Sequence, residues 1–268
     1  MILPASYANG FAPRDDRPLY PSLWQGCVGA WAPCLGPTGL TLRDSSGFGN
    51  HGTLTNMDAA SDWVPSNGRY ALDFDGTNDY VYIRRSGSNI YSELVGNKTV
   101  CGWVRTSSPG ASYRTVFSKD NTFSLTIKSG VFITYDWAVS TDRSSGVTVS
   151  DGLWHHLSVN VVAGVTNGST LYVDGREVAK ITYLSQAGNA TNDVTICAAL
   201  DSTNANVVQY INAAVDDLRL YKRCLTANET RLLASCRGIA YELAPRRRSS
   251  SAIAAFNRRR RLICGANC

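Results

Sequence analysis

The chain has 268 residues, 44% of them hydrophobic and 10% aromatic, with 23 glycines and two methionines, a composition that supplies a strand-rich core and excludes a disordered chain. No window approaches the roughly 20 apolar residues of a membrane-spanning helix, and the opening MILPASYANGFAPRDDRPLYP lacks the basic flank and apolar run of an export signal. The net charge of +5 is unevenly placed: residues 237–268 hold eight arginines and one glutamate, a net of +7, so residues 1–236 carry 18 basic and 20 acidic groups, a net of −2.

Residues 1–22 carry four prolines and little periodicity, which predicts an extended arm. From Leu23 onward, short alternating runs follow one another between turn residues. The stretch DSSGFGNHGTL, Asp44 to Leu54, interrupts them with a polar knot. In YALDFDGTNDYVYI, Leu72 and Phe74 share a face, Asp75-Gly76 breaks the run, and Val81 and Ile83 resume it opposite Tyr80 and Tyr82. The spacing predicts a hairpin. TVCGWVRT, TFSLTI with VFITYDW across Ser129-Gly130, and LYVDGREVAKI across Asp174-Gly175 repeat that design.

In LWHHLSVNVV a period of two sets His155 beside Leu157, Val159 and Val161, and His156 beside Trp154, Ser158 and Asn160. This predicts a hydrogen-bonded core His155 and a surface His156, which cannot chelate one ion together. AVDDLRLY likewise sets Asp216 on the face of Leu218 and Leu220, opposite Asp217, Arg219 and Tyr221. In LTANETRLLAS, Thr226 and Glu229 form a capping box and predict one short helix. Many short antiparallel strands and one C-terminal helix predict an all-β fold, a two-sheet sandwich.

Eight cysteines show no metal-ligand spacing. Cys101 and Cys197 lie in apolar runs and read as reduced core thiols, while Cys27 with Cys34, and Cys264 with Cys268, are close enough to pair only in an oxidising medium.

The ordered set CVGAWAP, DSSGFGNHGTL, ALDFDGTNDYVYI, VCGWVRT, DGLWHHLSV, LYVDGREVA and AVDDLRLYKRCLTANETRLL resembles the laminin G-like, concanavalin A-like jelly-roll family. The resemblance implies jelly-roll topology over residues 23–236, between the arm at 1–22 and a basic tail at 237–268. It also implies a non-catalytic module that binds carbohydrate or protein, or serves as a surface element of a larger assembly, and a calcium ion at the polar knot. Calcium takes six to eight oxygen ligands. Asp44 and Asn50 would supply some, and Asp216 could complete the shell from a neighbouring strand. The same residues also suit an Asx-turn, in which Asp44 holds the amide of Ser46 or Gly47 and His51 donates to a carbonyl.

For a sugar, aromatic faces beside amides are needed, and Asn78, Tyr80, Tyr82, Tyr135 and Trp137 are the candidates. A glycoside hydrolase needs two carboxylates at a set separation, and none of Glu93, Glu177, Glu229 and Glu242 has an acidic partner at such spacing. In the tail, Arg246, Arg247 and Arg248, then Arg258, Arg259, Arg260 and Arg261, flank AIAAF and suit nucleic acid or another acidic surface. The ending resembles those of open reading frames in phages and their hosts. These features together lead us to expect a virion surface protein, a capsid decoration or fibre, assembled in the host cytoplasm as a homo-oligomer among other virion subunits and presenting a lectin-like face to a surface glycan. A free carbohydrate-binding lectin is the alternative, and a glycoside hydrolase the third.

Overall fold

In the computed structural model, which describes residues 18–84, 90, 96–119, 122–184, 193–201 and 205–243, the alternating runs become strands. In chain order these are β1 (Cys27–Trp31), β2 (Thr41–Leu42), β3 (Gly52–Thr55), β4 (Trp63–Ser66), β5 (Arg69–Asp75), β6 (Tyr80–Ile83), β7 (Lys98–Arg105), β8 (Tyr113–Lys119) and β9 (Phe123–Lys128). They continue as β10 (Val131–Asp136), β11 (Thr141–Thr148), β12 (Trp154–Val161), β13 (Ser169–Val173), β14 (Arg176–Ile181), β15 (Val194–Ile196), β16 (Ala199–Leu200), β17 (Val207–Val208) and β18 (Asn212–Tyr221), followed by helix α1 (Ala227–Leu233).

One antiparallel sheet runs β14-β13-β12-β7-β18-β5-β4, with β1 paired to the second half of β18. The other runs β11-β10-β9-β8-β15-β6-β3-β2, and β16 with β17 forms a separate hairpin. The two inner faces meet in one core that includes Trp31, Leu72, Phe74, Val81, Phe117, Phe123, Leu157 and Leu218. The fold is the expected all-β sandwich.

Ser22–Ile239 forms one compact unit. Arg237 and Gly238, expected in the tail, belong to it. Residues 18–21 and 240–243 belong to a second unit, in which Pro18 and Leu243 make an antiparallel bridge and the Leu19 N–H donates to the Glu242 carbonyl at 2.7 Å. Residues 1–17 of the arm, all seven tail arginines from Arg246 to Arg261, and Cys264 and Cys268 lie outside the described residues. No described helix is long and apolar enough to cross a membrane.

The hairpins at Ser129-Gly130 and Asp174-Gly175 form as expected, with φ of 50° and 78°, and 50° and 74°, the left-handed pairs that suit strand twist. A further one, β4–β5, turns at Asn67-Gly68 with φ of 52° and 75°. Asp75-Gly76 differs from expectation. It links β5, which pairs with β4 and β18, to β6, which pairs with β3 and β15, so the chain crosses from one sheet to the other. The Asp75 carboxylate accepts from the Thr77 and Asn78 amides and makes a local bend with no cross-strand pairing. The capping box forms as read: Thr226 Oγ1 accepts from the Glu229 amide at 3.2 Å, and Glu229 Oε2 accepts from the Thr226 amide at 2.9 Å.

β18 departs from strict alternation. A bulge between Asp216 and Arg219 holds Asp217 at φ 45° and turns both aspartates to the outer face. Asp216 therefore does not share the face of Leu218 and Leu220. Leu218 fills the inner face above Gly102, where a Cβ would overlap it. Outside, Asp217 accepts from Arg219 Nε at 2.8 Å and from the Gly238 amide at 3.0 Å, while Asp216 accepts from the Cys34 amide at 2.9 Å and faces Arg237 at 3.4 Å. These bonds seal the segment after β18 over the first sheet.

The histidines reverse the expected burial, although His155 is hydrogen-bonded as expected. His156 is buried, edge-on to Trp103 at 5.5 Å, and its Nδ1 has no hydrogen-bond partner among the described residues. His155 is half-buried at the end of the core, with Nδ1 2.8 Å from Asp174 and Nε2 3.1 Å from Asp151. Burial lowers the His155 pKa, but hydrogen bonds to Asp174 and Asp151 outweigh it and leave a net rise. The cysteines at 27, 34, 101, 197, 224 and 236 are free, and burial raises the thiol pKa values of Cys101 and Cys197.

Burial brings the His156 pKa down to about 4, with Asp217 and Asp174 pulling upward and Arg219 downward. A base depressed on folding contributes stability that is present above its unfolded pKa and lost as pH falls toward the folded value, here from about 6.5 to about 4. Asp216, pushed up to about 6 by burial and Asp217, acts with opposite sign over part of that window. Comparing the wild type with His156→Gln cancels the Asp216 contribution. Denaturant melts at pH 7 and 4.5 should show the variant losing less stability than the wild type, by about 3 kcal/mol; equal losses would remove this role.

Candidate functional site

The outer face of the second sheet carries a cleft of about 410 Å³. A bulge in β8 and period two in FSLTIK turn the apolar residues of β8 and β9 inward and send Thr115, Ser118, Ser124 and Thr126 outward as its floor. Thr115 Oγ1 donates to Gln209 Oε1 at 2.7 Å and lies 3.4 Å from Thr126 Oγ1, which donates to Ser124 Oγ at 2.9 Å. One wall is aromatic. Tyr113 and Tyr135 meet edge to face at 5.8 Å, and Tyr135 and Trp137 at 5.2 Å. All three rings remain half-buried. The opposite wall is the β16–β17 hairpin, through Ala199, Leu200 and Val208.

Charge at the rim is compensated. Lys128 Nζ lies 2.6 Å from Asp142 and donates to the Tyr113 hydroxyl at 3.0 Å, and that hydroxyl donates to Asp142 at 2.9 Å. These hydrogen bonds raise the Lys128 pKa, Asp142 contributing most. Asp201 is the one carboxylate among the described lining residues, and it accepts from the Ala205 amide and from Asn206 Nδ2 at 2.6 Å. The lining offers aromatic faces, hydroxyls and an amide without the carboxylate pair that glycoside hydrolysis requires.

Of the expected ligand residues, Tyr135 and Trp137 line this cleft. Tyr80 and Tyr82 project from β6 on the same sheet but outside it, and Asn78 sits in the β5–β6 bend, its carbonyl accepting from Asn56 Nδ2 at 2.9 Å. Tyr113, the hydroxyl floor, Gln209 and the hairpin were missed. Ser124 and Thr126, alternating with apolar residues in FSLTIK, were the available signal for the floor.

The three expected calcium ligands do not form a cation shell. Asp44 Oδ1 accepts from the Ala30 and Ser46 amides, each at 2.8 Å, and Oδ2 from Ser46 Oγ at 2.7 Å and the Asn50 amide at 2.9 Å. Asn50 Nδ2 donates to the Val28 carbonyl, and Asp216 is engaged by Cys34 and Arg237. His51 accepts from the Asp44 amide at 2.9 Å, where a donor role was expected. Among the described residues, no cluster of three or more His, Cys, Asp or Glu side chains is placed to hold a metal. The knot forms the Asx-turn of the two readings, with both Asp44 oxygens taken up by protein donors.

The sequence matches a laminin G-like family described as the concanavalin A-like lectin/glucanases superfamily over residues 74–231, more than half the chain. The chain belongs to this superfamily. No curated protein matches it. Among solved structures, the jelly roll is similar to the binding domain of Paraclostridial Mosquitocidal Protein 1, with a TM-score of 0.56 and 14% identity over 79% of this chain and 52% of that one. It is similar also to a structure of botulinum neurotoxin type C, a toxin whose cell entry depends on interaction with two ganglioside molecules, with a TM-score of 0.55 and 13% identity over 80% and 52%. The third is Domain 4 of AbnA, an extracellular arabinanase from Geobacillus stearothermophilus, in complex with arabinotriose, with a TM-score of 0.57 and 18% identity over 78% and 98%. The chain spans about half the length of the toxin domains. At these identities the likeness is one of fold.

If Asp44 closes the knot with protein donors alone, chelation should leave stability unchanged. Melting with and without EDTA checks this, and a fall on chelation would reveal a bound cation. Asp44→Ala should cost about 3 kcal/mol, because it strands the Ala30 and Asn50 amides.

Proposed function

We propose that this chain is a non-enzymatic carbohydrate-binding module whose cleft seats a neutral glycan. The observation that carries this reading is the pairing of an aromatic wall, Tyr113, Tyr135 and Trp137, with a hydroxyl floor and no uncompensated charge among the described lining residues. Sugar rings present apolar faces ringed by hydroxyls, and such a lining matches both. The binding domains with similar folds, one holding arabinotriose, support it.

The chain's own ends favour a setting for this module. Two arginine blocks, Arg246–Arg248 and Arg258–Arg261, follow a body of net charge −2, as a tether to an acidic scaffold or nucleic acid would. The proposal is therefore display in many copies on a virion surface, where individually weak sites act together.

A glycan array probed with the full chain tests the first part. Tyr135→Ala and Trp137→Ala should each weaken binding to the strongest neutral glycan by about tenfold or more. Equal binding by the variants would remove the cleft, and turnover of any glycan would remove the non-enzymatic reading. For the tether, deletion of residues 244–268 should abolish incorporation into particles, and unchanged incorporation would end that claim.

A further inference from the structure

The hairpin that walls the cleft also divides the sheet. Tyr82 pairs across to Thr195, Thr195 to Ser118, and Ser118 to Ser124, whose Oγ accepts from the Tyr135 amide at 3.4 Å. This row has a tyrosine at each end and hydroxyls between, over four strand spacings of about 4.8 Å each, roughly 19 Å in all. The chain leaves the sheet in the middle of it. Thr195 Oγ1 donates to the Ala198 carbonyl at 2.8 Å, and the Cys197 and Thr115 amides donate to Val116 and Gln209 carbonyls, each at 3.0 Å. Gln209 turns its side chain to Thr115 in the cleft, while the next residue, Tyr210, stands 6.2 Å from Tyr80 on the far side.

On that far side Tyr80 meets Tyr82 edge to face at 6.3 Å, so three rings from two distant segments converge. None of the three is buried, and the Tyr82 hydroxyl is fixed by Asp193. Thr53 and Thr55 stand beside them on β3, opposite Tyr82 and Tyr80. The chemistry is close to that of the cleft, half-exposed rings with neighbouring hydroxyls on a rigid sheet, with the Arg84 guanidinium 5.9 Å from the Tyr82 ring and the Asp193 carboxylate on its hydroxyl.

We infer that Tyr80, Tyr82 and Tyr210 form a second platform for a neutral sugar, back to back with the cleft across the hairpin, so that one chain holds two glycan units. The inference rests on the carbohydrate reading of the cleft, and the two are separable by experiment. A bivalent face of this kind would favour branched or closely spaced glycans over isolated residues.

Neutral disaccharides of glucose, galactose, mannose and xylose are the probes, each too short to reach from Tyr82 to Tyr135. They are titrated into the full chain and followed by NMR of the aromatic side chains. At least one should bind with two equivalents, one lost in Tyr210→Ala and the other in Tyr135→Ala. Tyr210 lies outside the strands, and Tyr80→Phe with Tyr210→Phe keeps the ring contacts in case the alanine variant unfolds. Those phenylalanines should retain stacking and weaken the second site less than Tyr210→Ala does. A single equivalent indifferent to Tyr210 overturns the second platform and leaves the cleft. A single equivalent sensitive to Tyr210 alone supports the platform and overturns the cleft. No binding by any probe overturns both.

Discussion

The geometry of the cleft depends on one extra residue in β8. Between Thr115 and Phe117 the register with β9 slips, so Val116 and Phe117 both enter the core although they are adjacent. A regular strand would have sent one of them outward. The bulge keeps Thr115 and Ser118 on the polar side and frees the Thr115 amide and the Val116 carbonyl from the ladder. Those groups receive the Gln209 carbonyl and the Cys197 amide and so root the hairpin that walls the cleft. Core packing and site geometry are two consequences of the same insertion.

The first sheet solves a complementary problem. Its outer face must be covered, because it carries Trp103, His156, Asp216, Asp217 and Arg219, all buried. The bulge in β18 aims both aspartates at the segment that follows the strand, and Arg237 and Gly238 close over them. Breaking a buried pair such as Asp217–Arg219 costs about 3–5 kcal/mol, so the network fixes where the chain goes more than it adds net stability. One sheet is thus shut by its own chain, and the other retains an open cleft beside the hairpin.

Much of this was legible in the residues. Alternation gave the strands, Ser129-Gly130 and Asp174-Gly175 gave hairpins, and Thr226 with Glu229 gave the helix start, because each signal is local. What failed required knowledge of the other sheet. Asp75-Gly76 has the composition of a hairpin turn, yet its flanking strands bury their apolar faces from opposite sides of the core. His156 carries a polar face pattern that periodicity reads as exposed, yet it is buried against Trp103 on the outer face of its sheet. Tyr135 was visible as a strand-borne aromatic and Trp137 as one just past the strand end. The hairpin opposite them was not, since Ala199, Leu200 and Val208 come from two-residue strands too short to show a period.

A site built on a sheet is pre-organised but shallow. The side chains of β8, β9 and β10 are held by the ladder, so little ordering entropy opposes binding, and each strand offers only every second residue to a ligand. The area available to one sugar is consequently small, and affinity from a single cleft should be modest however well the rings are placed. Strength has to come from number. In the setting proposed for the arginine blocks, many copies held on one scaffold would turn modest contacts into lasting attachment without any new contact to the glycan.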